Sequence, residues 1–417
     1  MTLPASPSLP NHDTRRAPLG MAQAAVMLAL LLGLQPVMTD LYLPSLPAIA
    51  GEFNAPLSAT QLTMSVLILA FGPMQLVWGP ASDRWGRRPV LLTSLTLMAV
   101  ASLGAAASTS IGMLVAWRAA QGAALAAVVM CARAIVRDLY QPSEGARVMS
   151  LALSGLGLVA VAAPLGGGLI AAAWGWRAAL AAVTAIAIGA LVAIAWRLPE
   201  TLRTPNPQGL QVRVLARNAR VVLSHPTFHA WTLLVAATYA GLFVLLSGTS
   251  FAYARQLGMS PAQVGLALAC GSLVYIAGTF LCRHWLRRHG MTGTVKRGVV
   301  FSLTGGLGLG ACGLLDAPPA AAVLLTHWVY LFGHGVVQPC GQAGSVGPFP
   351  QMAGMASALA GCILALTAFA TGTWLGHAMD GTVRPLGIGL ASAAVATALV
   401  AWTLVQRHGE PPRASAT

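Results

Sequence analysis

The chain has 417 residues, of which 56% are hydrophobic and 8% charged, with a mean hydropathy of +0.72 and a formal net charge of +14. A soluble globule carries roughly a quarter charged residues, so this composition excludes a water-soluble fold. The positive charge lies between apolar runs and at the termini rather than on a polar domain, which argues against nucleic acid as a partner.

Residues 1–20 are polar and rich in Pro and Ser, and read as a tail with no cleavable signal peptide. Twelve apolar runs follow, each long enough to cross about 30 Å of hydrocarbon as a helix. They are expected at 21–45, 59–81, 89–107, 111–136, 148–171, 177–196, 228–251, 262–281, 297–315, 319–340, 352–377 and 386–406. The stretch 198–227 is proline-rich, then basic and weakly amphipathic, and is read as a linker with a surface helix. The expected organisation is therefore all-α: a six-helix bundle over 21–197, the linker, a second six-helix bundle over 228–406, and a tail at 407–417.

Basic residues orient the runs. With the N-terminus cytoplasmic, twenty Lys and Arg fall on the inner side, including Arg84, Arg87, Arg88, Arg133 and Arg137, against Arg177, Arg255 and Arg384 outside. Both termini are then cytoplasmic. The six cysteines lie in or at the ends of apolar runs without metal-ligand spacing. They read as buried free thiols, with neither metal nor disulfide expected.

The first run contains VMTDLYLP, where Asp40 is the one charged residue between Met21 and Gly51. The fourth contains Arg118. At 1.5 Å per residue both are expected about 10 Å below the outer surface. Embedded ionisable groups are rare and mark ion or substrate paths. A desolvated carboxylate can load a proton or a cation but disfavours both together. Two readings stay open: Asp40 and Arg118 serve coupling and substrate binding, or they form a static pair that fixes helix packing. Met27, Leu31 and Leu34 leave the upstream face apolar, so Asp40 stands without a second acid.

After the second run comes GPASDRWGRRP (79–89), and after the eighth GTFLCRHWLRRHG (278–290), with Cys282 where the first copy has Asp83. Parallel repeats flanking a midplane site are a recurrent transporter plan. Among the second-half residues, Tyr239, Phe243, His334 and Gln338 are expected to line a cavity with Gln35, Met38, Tyr42 and Gln121 of the first half. His327 and His334 are seven apart and share a helical face, where they either titrate or pack.

GPASDRWGRRP resembles the loop signature of the major facilitator superfamily. WRAAQGAALAAVVMCARAIVRDLY (117–140) is similar to its fourth-helix motif, and SGLGLVAVAAPLGGGLI (154–170) to the fifth-helix motif of its drug/proton antiporters, with Ala163 in place of the usual Gly. Together with TDLYLPSLPAIA (39–50), the chain resembles the bicyclomycin/chloramphenicol-resistance (Bcr/CflA) branch. The resemblance implies proton-coupled efflux of small lipophilic drugs by alternating access, from a bacterial-type inner membrane, by a monomer. A cytoplasmic gating loop of Gly79, Asp83, Arg84, Gly86, Arg87 and Arg88 is implied, acting with Arg137 and Asp138. Asp83 would cap the inner end of helix eleven, and the arginines would pair with Asp138. Gly157, Pro164 and Gly167 would form a kink in helix five.

Other classes fare worse. The chain has no G-x-x-x-x-G-K-[ST] loop and a single lysine, Lys296, so no nucleotide cofactor is expected and a proton gradient supplies the energy. No H-E-x-x-H pair or catalytic cluster points to an enzyme. Proton-coupled uptake of a metabolite on the same fold is the alternative, separable only by the direction of flux.

Overall fold

The protein was analysed as a computed structural model that describes residues 20–202 and 211–410, apart from the side chains of residues 142, 143, 146 and 212. The tails expected at 1–20 and 407–417, and residues 203–210 of the linker, lie largely outside the described residues.

The first half contains α1 (Met21–Thr39), α2 (Leu57–Trp85), α3 (Arg87–Ala106), α4 (Ile111–Leu139), α5 (Pro142–Trp174) and α6 (Trp176–Arg197). A linker helix, Val212–Leu223, precedes α7 (Pro226–Arg255). A helical run over Pro261–Cys312 is broken at Gly290, whose φ of 64° and ψ of −173° reverse the chain. It is therefore two crossings, α8 (261–289) and α9 (291–312), since 52 residues of helix would be about twice the thickness of a membrane. The remaining spans are α10 (Ala320–Val346), α11 (Ala353–Ala378) and α12 (Arg384–Trp402).

Sequence punctuation explains the ends. Pro44 and Pro47 break α1 into a turn, a 3₁₀ segment (Leu43–Ser45) and a short helix (Leu46–Glu52). Ser110 caps α4 by accepting from the Met113 amide. Gly86 and Gly175 have φ of 101° and 81°, a region that favours glycine, and each separates two helices with a single residue.

Several helices overrun their expected ends. α2 continues from the expected residue 81 to Trp85, and α8 from 281 to 289. Charged residues do not stop a helix; the next glycine does. Gly79, Asp83 and Arg84 are consequently helical, and the expected gating loop shrinks to a sharp corner at Gly86.

The two halves meet along α2 with α11 and α5 with α8. Small residues permit this. A Cβ at Gly72 would strike Ala365 and Gly361 of α11, while Gly168 of α5 and Gly265 of α8 stand against each other's backbones. Large apolar side chains such as Leu158, Trp174, Trp196 and Leu314 remain exposed on the outside, as lipid rather than water requires. The end carrying Arg84, Arg88 and Arg287 is called the basic end below.

At the opposite end the halves are shut. Gly376 of α11 presses on Ser58 of α2, and Gln61 of α2 donates to the Ser247 carbonyl of α7 at 3.4 Å. Within the first half, Glu52 accepts from the Trp176 indole at 2.6 Å and from Arg177. Arg177 also stacks on Trp176 at 4.2 Å and donates to the Ser108 carbonyl. This knot joins the end of α1, the α3–α4 turn and the start of α6.

Candidate functional site

Asp40 ends α1 with helical φ and ψ of −82° and −32°, and Tyr42 continues the same twist at −77° and −30°. At about 100° per residue, the two side chains point about 200° apart around the helix axis. That angle decides the site. Tyr42 faces into the first half and Asp40 faces away from it.

Arg118 follows Tyr42. It is fully buried and stacks on the Tyr42 ring at 4.2 Å. Its donors reach the Met38 carbonyl at 2.9 Å, the Thr63 carbonyl at 3.2 Å, Gln121 Oε1 at 2.9 Å and the Met64 sulfur at 3.2 Å. Gln121 in turn donates to Ser102 on α3, and Tyr42 shares a hydrogen bond with Thr63. Among the described residues no carboxylate takes part. Met38, Tyr42 and Gln121 are therefore buried members of a cradle that welds α1, α2, α3 and α4 around a guanidinium, rather than the wall of an open cavity. The static Asp40–Arg118 ion pair is absent, because Arg118 of α4 lies against the Tyr42 side of the first segment and Asp40 leaves that segment on the other side.

Asp40 itself is half-buried, and among the described residues its carboxylate receives one hydrogen bond, from the Thr39 hydroxyl at 2.7 Å. No Lys, Arg or His lies within ion-pair distance of it among those residues. Tyr239 belongs to α7, in the other half. Tyr239 is half-buried and lies 6.5 Å from the Phe243 ring, which packs at the α2–α7–α11 seam against Gly372. Gln35 is likewise half-buried. Within the first half, between α1, α5 and α6, an apolar cavity of about 260 Å³ is lined by Leu30, Leu34, Val37, Leu41, Val159 and Ile186 among others. A carboxylate at hydrocarbon depth, held by one neutral donor and bordered by apolar surface, is costly unless a proton or cation joins it.

In the second half, His334 bonds Thr238 at 2.9 Å and lies parallel to Tyr330, while His327 bonds the Tyr253 hydroxyl at 2.8 Å. Both histidines are fully buried between α10 and α7. Gln338 is half-buried and accepts from Tyr275 of α8. α5 is helical throughout, Pro164 included; Gly167 packs on the Leu41 carbonyl in the turn after α1 and Gly157 faces Ile276 of α8.

At the basic end, Arg87 is buried and bridges Asp83 at 2.6 Å and Asp138 at 2.9 Å. The pairing with Asp138 matches the expectation. Asp83 does not cap α11 here: it stays with Arg87 in its own half, and Met352 begins α11 with no side-chain cap. Arg88 donates to the Ala195 carbonyl of α6, while Arg84 and Arg137 are exposed.

Two residues escaped the sequence reading. Glu200 accepts from the amides of Arg87 and Arg88, filling the N-terminus of α3, and from those of Thr201 and Leu202. A Cβ on Gly86 would collide with it. A signal existed: Glu200 is an acid just after a helix end, among inner-side arginines. Arg133, expected only as an inner-side basic residue in the run 111–136, lies inside α4 and donates to Ser357 of α11 at 3.2 Å.

The family model of the Major Facilitator Superfamily matches residues 28–372. The chain belongs to the major facilitator superfamily. Within this superfamily, a chloramphenicol resistance protein of Pseudomonas aeruginosa is 30% identical over 78% of this chain and 76% of its own length. A bicyclomycin resistance protein homolog of Haemophilus influenzae is 25% identical over 91% of this chain and 96% of its own. The fold matches the xylose transporter XylE from E. coli in a partially occluded inward open conformation, with a TM-score of 0.74, 15% identity and coverage of 93% and 99% of the two chains. The resemblance to the Bcr/CflA branch thus holds, and the protein is a multi-pass membrane transporter with relatives named for antibiotic resistance.

Proposed function

We propose that the chain exports small lipophilic drugs in exchange for protons. It would work as a monomer in a bacterial-type inner membrane, with its basic end and both termini in the cytoplasm. The observation that carries this reading is Asp40: a half-buried carboxylate at hydrocarbon depth with one neutral donor and no cation partner among the described residues. Such a group is stabilised by a proton or by a cationic or polar part of a substrate, and occupancy by one disfavours the other.

The named resistance functions of the two relatives support drugs such as chloramphenicol or bicyclomycin as cargo. The apolar cavity between α1, α5 and α6 and the half-buried ring of Tyr239 suit lipophilic molecules. Here the end opposite the arginines is shut, so loading from the cytoplasm precedes opening outward. Each proton falling through the membrane potential supplies about 2.3 kcal/mol per 100 mV, and no cofactor enters.

The test is drug resistance of an efflux-deficient bacterium expressing the chain, with drug–proton exchange measured in everted vesicles. Wild type should lower drug accumulation, and a protonophore should abolish the effect. Asp40→Asn should fold and bind drug but lose proton-driven export. Drug-independent uptake of a nutrient by wild type would instead establish the symporter, and unaltered proton coupling in Asp40→Asn would remove Asp40 from the mechanism.

A further inference from the structure

The basic end holds a charge of another kind from Asp40 and Arg118: Arg133 of α4, whose side chain is exposed rather than embedded. α4 is packed by α1, α2, α3 and α5. From Arg118 to Arg137, Ala119, Ala120, Ala123, Met130, Arg133 and Arg137 keep some exposure and the rest are buried. Ala120 aside, these form one stripe at helical spacing. The stripe reaches the other half, since Arg133 Nη1 donates to Ser357 Oγ of α11 at 3.2 Å. It therefore looks into the space between the halves rather than into lipid.

Arg133 has five N–H donors, and among the described residues that one hydrogen bond to a neutral hydroxyl is its only polar contact. No carboxylate lies within ion-pair distance among those residues. Arg137, one turn nearer the helix end, is exposed on the same stripe. Arg133 stands fifteen residues from Arg118, about 22 Å along α4, and so is remote from the Asp40 level. An arginine used only for topology would snorkel to the headgroups; this one turns to the opposing half, six residues before its helix ends.

We propose that Arg133 is a substrate-recognition group at the basic-end mouth of the cleft, selecting molecules that carry an anionic or strongly hydrogen-bond-accepting group, such as a carboxylate, and disfavouring cations. Its unused donors match a planar two-oxygen acceptor in the bidentate geometry guanidinium favours. A cation at the mouth meets a positive charge that no neighbouring acid neutralises. Ser357 holds the side chain across the seam until an incoming acceptor replaces it. This deepens the transport reading by naming a cargo class, and it stands apart from the coupling role of Asp40.

The experiment uses purified full-length protein in nanodiscs of pure phosphatidylcholine, with fluorescein as anionic probe and tetraphenylphosphonium as cationic probe. Wild type should bind fluorescein more tightly. Arg133→Gln should weaken fluorescein binding about tenfold, the worth of one charge-assisted hydrogen bond, and leave tetraphenylphosphonium equal or tighter. Arg133→Lys should recover part of the preference through its charge but not the bidentate fit. Equal loss of both probes in Gln and Lys variants would show a structural role and overturn the proposal. So would an unchanged probe preference. Repeating the measurement with anionic phosphatidylglycerol separates the sources: fluorescein affinity that depends on Arg133 only when that lipid is present would assign the guanidinium to a headgroup. Proton-driven drug export by the wild type is measured in parallel. Its absence in wild type would defeat the export reading, whereas the binding preference is scored on its own.

Discussion

Asp40 and Tyr42 are two positions apart, and the half-turn between them separates two kinds of embedded charge. Arg118 spends its donors on two backbone carbonyls, Gln121 and a sulfur, and on the face of Tyr42. Removing it leaves those acceptors buried and unpaired. Arg118→Met is expected to destabilise the protein by about 3 kcal/mol, the usual scale for breaking a buried polar network, seen as a lower thermal midpoint in detergent. Asp40→Asn removes a charge that has one neutral donor, so its midpoint should stay level or rise. A fall equal to that of Arg118→Met would mean that Asp40 is packed like its neighbour. Reading the chain expected both charges at one level, and Arg118 does lie against the turn that carries Asp40. Their azimuth was not legible, because a break at Pro44 leaves the course of Asp40–Tyr42 undetermined until its dihedrals are known.

At the scale of helices, the lesson is where chains stop. Arginines and an aspartate were read as a loop, yet α2 runs through Asp83 and Arg84 and turns at Gly86 alone. The corner works because the carboxylate of Glu200 fills the space a side chain at Gly86 would need and satisfies the first amides of α3. Two variants test this. Glu200→Gln keeps the shape but drops the charge facing the helix dipole, and should cost about 1 kcal/mol. Gly86→Ala meets both a φ of 101° and the Glu200 carboxylate, and should cost more. Thermal midpoints rank them; equal values would show that the corner tolerates a Cβ. Asp83 illustrates the opposite limit. Its pairing with Arg87 rather than with α11 belongs to a conformation shut at the far end, and a single sequence says nothing about which conformation is occupied.

Across the whole molecule, the twelve crossings and the two-half plan were readable because twenty-residue apolar periods and an arginine bias survive any local ambiguity. The seams were not readable, since glycines at 72, 168, 265 and 376 look alike on paper whether they face lipid, a neighbour or the other half. The structure assigns them to the α2–α11 and α5–α8 contacts. Gly168→Val should force α5 from α8 and weaken the shut end, raising the reactivity of probes applied from that side. A cross-link between cysteines placed at Ser58 and Gly376 should stop transport, and a reductant should restore it; Cys282 and Cys340, 3.6 Å apart, need replacing first. Continued transport with the link intact would place the moving seam elsewhere.

The knot of Glu52, Trp176 and Arg177 bears on that motion. By binding three separate turns of one bundle at its rim, it denies those helices the freedom to peel away singly. Access from that face then arrives in a single swing of one solid half against the other, like a door rather than a curtain.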